Sequence, residues 1–172
     1  MSLTGCLLVA SPTLTDPNFA ATVVFIIHHD GGGAVGVVLN RPTALTLEPL
    51  PGGWATGSAV FSGGPVEPEI AIGLVESDDF HNGWERVADR LWLADLDGPA
   101  AAVSRIRIFS GYAGWGSRQA ESEIAQGDWV VAEATTDDVF TAAPSDLWRS
   151  VLRRQRGPAR LLAAYPLDPS LN

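Results

Sequence analysis

Arg41 is the residue of this sequence best suited to binding chemistry. It follows an apolar run, residues 34–40, which ends in Asn40 and has the composition of a buried strand. A guanidinium at the end of a strand can hold a carboxylate through two parallel N–H···O bonds. The structural alternative is an ion pair with Glu121 or Glu123 that serves only to stabilise the fold.

A second candidate is the glycine-rich stretch of residues 111–116, in which Tyr112 and Trp115 stand among three glycines. We predict a turn here that is followed directly by an acidic helix. Free backbone N–H groups at a helix start can bind an anion, although Glu121 near that end would repel phosphate. Two alternatives stay open: a surface for another ligand or partner, or a tight turn whose aromatic side chains pack on the sheet.

The third candidate is the glycine-containing turn Gly63-Gly64-Pro65, which would allow close approach of the backbone to a ligand. Like the other two segments, it follows a predicted strand. If the ends of these strands lie at one edge of the sheet, the three segments form one pocket for a small ligand or a protein partner. The candidate binding residues are therefore Asn40, Arg41, Gly63, Gly64, Pro65, Gly111, Tyr112, Gly114, Trp115, Gln119 and Glu121.

The basic residues near the C-terminus suggest a different function. Arg149, Arg153 and Arg156 are spaced four and three residues apart and share one face of a predicted helix, and Arg154 and Arg160 add charge. The alternative function is a DNA-associated regulator that uses this patch. The structural interpretation is a solvated face that complements the helix C-terminus.

Motifs for catalysis, metals and cofactors are missing from the sequence. There is no G-x-S-x-G, Walker A or dinucleotide-binding pattern, and no histidine spacing suits zinc. His28 and His29 are neighbours on a predicted strand and point to opposite faces, so the two side chains are poorly placed to share a metal ion. We predict no catalytic residue, metal or cofactor and favour a non-enzymatic protein, while a hydrolase or transferase with an unrecognised site stays open.

Charge and composition restrict the partners. The net charge is −9, which repels phosphate backbones, so we do not expect nucleic acid as a partner. No apolar run is long enough for a membrane helix, and the first residues lack a basic stretch, so we expect neither a membrane partner nor a secretory signal. The single cysteine fits the reducing cytoplasm. The oligomeric state is not determined by the sequence.

The elements that must position these candidates are mostly strands. We predict one domain over residues 1–172 with α+β, or mixed α/β, architecture. A proline- and glycine-containing loop spans residues 43–58, and a polar loop spans residues 76–85. Strands are predicted over residues 6–10, 22–29, 34–40, 59–61, 70–75, 91–93, 105–109 and 128–133, and helices over residues 98–104, 117–126 and 144–156.

Four blocks of residues, in this order, resemble the AlgH/YqgE family of small bacterial proteins. They are Leu-Leu-Val-Ala-Ser-Pro at 7–12 with Asp-Pro-Asn-Phe at 16–19, residues 34–42, residues 60–66 and Gly-Tyr-Ala-Gly-Trp-Gly at 111–116 with the helix after it. Ser117 and Ala120 depart from the proline and leucine usual there. The resemblance implies a bifurcated, mostly antiparallel sheet folded into a partial barrel with helices packed against it. It implies no established activity, although members are often labelled transcriptional regulators.

Overall fold

The structure is a computed structural model that describes residues 2–46, 53–54 and 59–167. Most of the elements are strands that coincide with β-branched and apolar runs of the sequence. In chain order the strands are β1 (Cys6–Ala10), β2 (Val23–Asp30), β3 (Gly33–Val38), β4 (Pro42–Thr46), β5 (Ala59–Ser62), β6 (Val66–Glu76), β7 (Glu85–Arg86), β8 (Leu91–Ala94), β9 (Arg105–Gly116) and β10 (Trp129–Glu133). The helices are α1 (Gln119–Gln126), α2 (Thr136–Val139), α3 (Pro144–Arg153) and a final 3-10 helix (Gly157–Ala164).

The strands form a mostly antiparallel sheet in the order β10-β1-β2-β3-β9-β6-β8-β7. The sheet divides at β9, because the two halves of one edge of this strand have different neighbours. Residues 113–116 pair antiparallel with β3, whereas residues 108–110 pair in parallel with β5, which continues to β4. The result is a bifurcated sheet curled into a half-barrel with a few helices packed against it, as predicted.

Two faces of the sheet bury separate apolar clusters. One contains Phe25 and Phe109 and is covered by α3, whose Leu147, Trp148, Val151 and Leu152 side chains are buried. The other contains Trp115 and Trp129 and is covered by α1 through Ala120 and Ile124. A third cluster of Trp54, Trp84 and Trp92 lies beside β6 and β8. Trp84, in the segment predicted as a polar loop, is therefore part of a core.

Three predicted elements differ from the structure. Residues 111–116 are not a turn but the second half of β9, because residues 113–116 pair with β3 and Tyr112 pairs with Val66 of β6. Residues 98–104 form no helix; Ala101 and Val103 instead pack on the third cluster, and the N–H of Ser104 bonds to Glu76 O. Residues 42–46 of the predicted loop are strand β4. Residues 47–52 and 55–58 of that loop lie outside the described residues.

Candidate functional site

The Asn40-Arg41 pair holds the loop between β1 and β2. The Asn40 side chain accepts a hydrogen bond from Val23 N at 3.0 Å and donates one to Ala21 O at 2.9 Å. Arg41 Nη2 donates to Pro17 O at 2.9 Å and to Ala20 O at 3.3 Å. The oxygen and the nitrogen of the Asn40 side chain both take part in this backbone clamp, which positions the loop.

The Arg41 guanidinium has no close acidic partner. Among the described residues, no carboxylate lies within salt-bridge distance of it, so the predicted ion pair with Glu121 or Glu123 is wrong. Partial burial lowers the pKa of Arg41, and the negative charge of Asp16 acts in the opposite direction. Because guanidinium keeps its proton at physiological pH, a partly desolvated cation remains that an external anion can neutralise.

A small cleft of about 60 Å³ opens beside this guanidinium. We call it the Arg41 cleft. Its polar lining residues are Asn18 and Ser62 besides Arg41, and among the described residues no hydrogen bond uses the N–H of Gly64. The lining contains no carboxylate: it consists of Asn18, Val38, Arg41, Ser62, Gly64 and Pro65.

The glycines around the cleft are required by the packing of the backbone. A Cβ on Gly63 would lie 2.2 Å from Gly111 O, and one on Gly64 would lie 2.2 Å from the carbonyl of Tyr112. Gly111 has φ +70°, and its Cβ would lie 2.8 Å from Gly64 O. These three glycines therefore mark the point where the β5–β6 connection crosses β9, and their role in the fold is structural.

Trp115 is a core residue rather than a binding residue. Its side chain is 6% exposed and lies 5.8 Å from Trp129, ring centre to ring centre, in an edge-to-face arrangement. The indole N–H groups of both tryptophans donate to Glu123 Oε2, at 2.8 and 2.9 Å. Gln119 supports the same carboxylate by donating to Glu123 Oε1 at 2.8 Å, and its own Oε1 accepts from Gly116 N at 2.9 Å.

The side chains of Tyr112 and Trp115 belong to opposite faces of β9. Tyr112 packs against the cluster of Phe109, whereas Trp115 lies in the other cluster. The Tyr112 hydroxyl donates to Glu67 Oε2 at 2.8 Å, and this bond raises the pKa of the phenol. Gly114 is exposed and faces open space apart from the Tyr112 ring. The two aromatics therefore do not form one binding surface.

Glu121 is bonded to a histidine of β2. His29 Nδ1 accepts the N–H of Leu3 at 3.1 Å, so Nε2 carries the proton that it shares with Glu121 Oε1 at 3.1 Å. The His29 side chain is 7% exposed, and that of Glu121 is 50% exposed. This contact joins α1, β2 and the N-terminal residues, which identifies Glu121 as a structural residue.

The predicted pocket is therefore only partly assembled. Arg41, Gly64 and Pro65 come together, whereas Trp115, Gln119 and Glu121 lie at the α1 side of the sheet. Sequence reasoning missed three cleft residues, the polar Asn18 and Ser62 and the apolar Val38. Asn18 belongs to the Asp-Pro-Asn-Phe block and could have been found there, while Ser62 carried no signal beyond its place before Gly63.

The arginines in and after α3 are divided between structural and exposed positions, and Arg156 lies beyond the end of α3 at Arg153 rather than on the predicted helix. Arg149 Nη1 donates to Ala163 O at 2.8 Å and holds the final 3-10 helix. Arg154 forms a double hydrogen bond with Asp138, whose side chain is 5% exposed. Arg153 and Arg156 are exposed. The continuous basic face expected from the spacing is thus interrupted, and DNA association stays a prediction.

Metal-ligand clusters and membrane-length apolar helices are both absent from the described residues. No group of three or more His, Cys, Asp and Glu side chains there could hold a metal ion. No helix of that part of the chain is long and apolar enough to cross a membrane.

Comparison with known proteins agrees with the fold. A family model described as AlgH-like matches residues 7–160. The chain belongs to the AlgH-like family. Two UPF0301 proteins, from Streptomyces avermitilis and Streptomyces coelicolor, are each 46% identical over 99% of this chain and 96% of their own length. The AlgH/YqgE resemblance is confirmed, and the molecular function of this family is uncharacterised.

Two solved structures share this AlgH-like architecture. Protein DIP2367 from Corynebacterium diphtheriae has a TM-score of 0.82 at 30% identity, and the match covers 94% of this chain and 91% of that one. The solution structure of AlgH from Pseudomonas aeruginosa has a TM-score of 0.72 at 25% identity, with coverage of 96% and 95%.

Proposed function

We propose that this AlgH-like chain is a non-enzymatic binding protein that recognises a carboxylate group at the Arg41 cleft. The carboxylate belongs to a small ligand or to a protein partner. The observation that carries the proposal is a partly buried guanidinium whose hydrogen bonds go to backbone carbonyls and which has no carboxylate within salt-bridge distance among the described residues. An unpaired, partly desolvated cation favours an incoming anion.

The shape of the cleft supports a small planar anion. Arg41 uses Nη2 for Pro17 O and Ala20 O, which fixes the plane of the guanidinium and leaves its other N–H groups for a ligand. Gly64 N–H, Asn18 and Ser62 add neutral groups that can donate to the same anion. A volume of about 60 Å³ admits a carboxylate but not a whole metabolite, so the rest of the ligand would lie outside, against Pro65.

The cleft supports binding better than catalysis. Ser62 is its one hydroxyl, and none of the other lining residues is a base that could activate it. We also place this binding function in the cytoplasm, because the single cysteine and the strongly acidic composition suit that compartment.

Ligand-linked stabilisation tests the proposal. Thermal unfolding of the full chain is measured with sodium acetate, sodium phosphate or sodium chloride at one ionic strength. We expect acetate to raise the midpoint above the chloride value, because binding to the native state stabilises it. Arg41→Gln removes this difference, whereas Arg153→Gln, the exposed control on α3, retains it. Equal midpoints in acetate and chloride, or an acetate effect that survives Arg41→Gln, would refute carboxylate binding at this cleft.

A further inference from the structure

Strand β10 is an outer strand of the sheet. Among the described residues its sheet neighbour is β1, and the opposite edge of β10 faces no other strand. An open edge presents N–H and C=O groups that can pair with another chain. This edge therefore offers a surface for strand addition.

The outward-pointing backbone groups of β10 can be assigned because the direction of the N–H and C=O groups alternates along the strand. Asp128 O accepts the N–H of Ser11 across the β1–β10 pair. In an antiparallel ladder, residues alternate between facing the partner strand and facing away from it. Val130 and Ala132 therefore face β1, whereas Trp129, Val131 and Glu133 face outward. The bond from Arg154 Nη2 to Glu133 O agrees with this assignment.

The middle of the edge is apolar. The Val131 side chain is 40% exposed, although its cross-strand neighbour Leu8 is completely buried. Exposed valine on an edge strand loses its contact with water when a second strand is added.

Charged side chains lie near both ends of β10. Asp128 stands immediately before the strand and forms no salt bridge within the described part of the chain. At the other end, beside the exposed carboxylate of Glu133, a cavity of about 570 Å³ is lined by Arg154, which is paired with Asp138, and by the exposed Arg156, which forms no salt bridge among the described residues. An antiparallel partner with the same sequence would place its Asp128 next to these arginines, at both ends of the contact.

We propose that two copies of this chain pair through β10, antiparallel and centred on Val131. Val131 then exchanges two backbone hydrogen bonds with its own copy, and Trp129 faces Glu133 of the second molecule. The carbonyl of Glu133 keeps its bond to Arg154, because a carbonyl oxygen can accept two hydrogen bonds. Such a two-fold contact uses one surface twice and closes after two copies.

Sedimentation equilibrium of the full chain at near-physiological salt tests this pairing. We expect a dimer whose population rises with concentration. Val131→Pro should abolish it, because the lost N–H points outward and proline is tolerated at such edge positions. Val131→Thr is the matched control that keeps the N–H and the dimer, and circular dichroism checks the fold of both variants.

A charge exchange tests the register independently of proline. Asp128→Arg and Arg156→Asp should each weaken the dimer about tenfold, since each reversal creates two repulsive pairs per dimer. The double variant should recover the wild-type dissociation constant. A wild-type chain that stays monomeric at all concentrations contradicts the proposal. So does a dimer that persists in Val131→Pro, or a double variant as weak as the single ones.

Discussion

The indole N–H of Trp115 donates to Glu123 Oε2 at 2.8 Å, eight residues along the chain. The same oxygen accepts the indole N–H of Trp129 at 2.9 Å. A single carboxylate on α1 therefore joins the end of β9 to the start of β10. This contact explains why a tryptophan stands among glycines in the most distinctive stretch of the sequence: it connects a helix to the sheet.

Replacing Glu123 should destabilise the fold. In Glu123→Ala, two largely buried indole N–H groups lose their acceptor, and we expect a loss of about 2–4 kcal/mol in the free energy of unfolding. Glu123→Gln keeps an acceptor oxygen without the charge and should lose about 1 kcal/mol. Urea denaturation measures both. Equal stability of Glu123→Ala and the wild type would show that this carboxylate is not structural.

The crossing of the β5–β6 connection over β9 should not tolerate a side chain at Gly64. A Cβ there would lie 2.2 Å from the Tyr112 carbonyl, so Gly64→Ala should destabilise the protein by about 2–4 kcal/mol. Gly114→Ala is the matched control, because its Cβ would meet the Tyr112 ring at an ordinary 3.6 Å. Chemical denaturation that gave the two variants the same loss would contradict the proposed backbone crossing.

The Arg154–Asp138 pair should contribute more to stability than the exposed arginine beside it. Arg154→Ala leaves the Asp138 carboxylate buried with its remaining bonds to Thr135, and we expect a loss of about 2 kcal/mol. Arg153→Ala, at an exposed position of the same helix, should change the unfolding free energy little. The two variants are compared by urea denaturation, and an equal loss would contradict the structural assignment.

The Glu121 carboxyl should make the stability depend on pH in the acidic range. A hydrogen bond from its own backbone N–H at the start of α1, and then the bond to His29, lower the pKa of Glu121. The unfolded-state pKa of a glutamate is about 4.3. A carboxyl whose pKa is lower in the folded state stabilises the protein at pH values above the unfolded-state pKa, and this contribution is lost as the pH falls through the folded-state pKa. The stability difference between wild type and Glu121→Gln should therefore shrink below about pH 4. A difference that stays constant or grows there would contradict this assignment.

Local patterns predicted the strands well, because a β-branched run such as residues 22–29 has few other stable conformations. They failed where contacts distant in sequence decide the conformation. Residues 111–116 have the composition of a turn, yet pairing with β3 and β6 holds them extended. Residues 98–104 suit a short helix, yet burial of Ala101 and Val103 against the tryptophan cluster fixes them in an irregular conformation.

The candidate site could be predicted only in part, because some of its contacts join segments that are distant in sequence. Arg41 could be chosen because a guanidinium after an apolar strand is unusual chemistry, and its neighbours in Gly64-Pro65 could be chosen because glycines permit close approach. Its acceptors could not be predicted, since Pro17 O and Ala20 O are backbone atoms that any sequence offers. The two acidic residues of α1 suggested an ion pair with Arg41, but Glu121 bonds to His29, and Glu123 bonds to Trp115 and Trp129.

The most direct measurement is a titration of the isotope-labelled full chain with acetate, followed by the NMR signals of the Arg41 side chain and of the Gly64 amide. We predict saturable shifts of both signals, together with those of Asn18 and Ser62, and no saturable shift of Arg153. Arg41→Gln should abolish the changes at Gly64. Shifts that are linear in acetate, or equally large at Arg153 and Arg41, would contradict a carboxylate site at the Arg41 cleft.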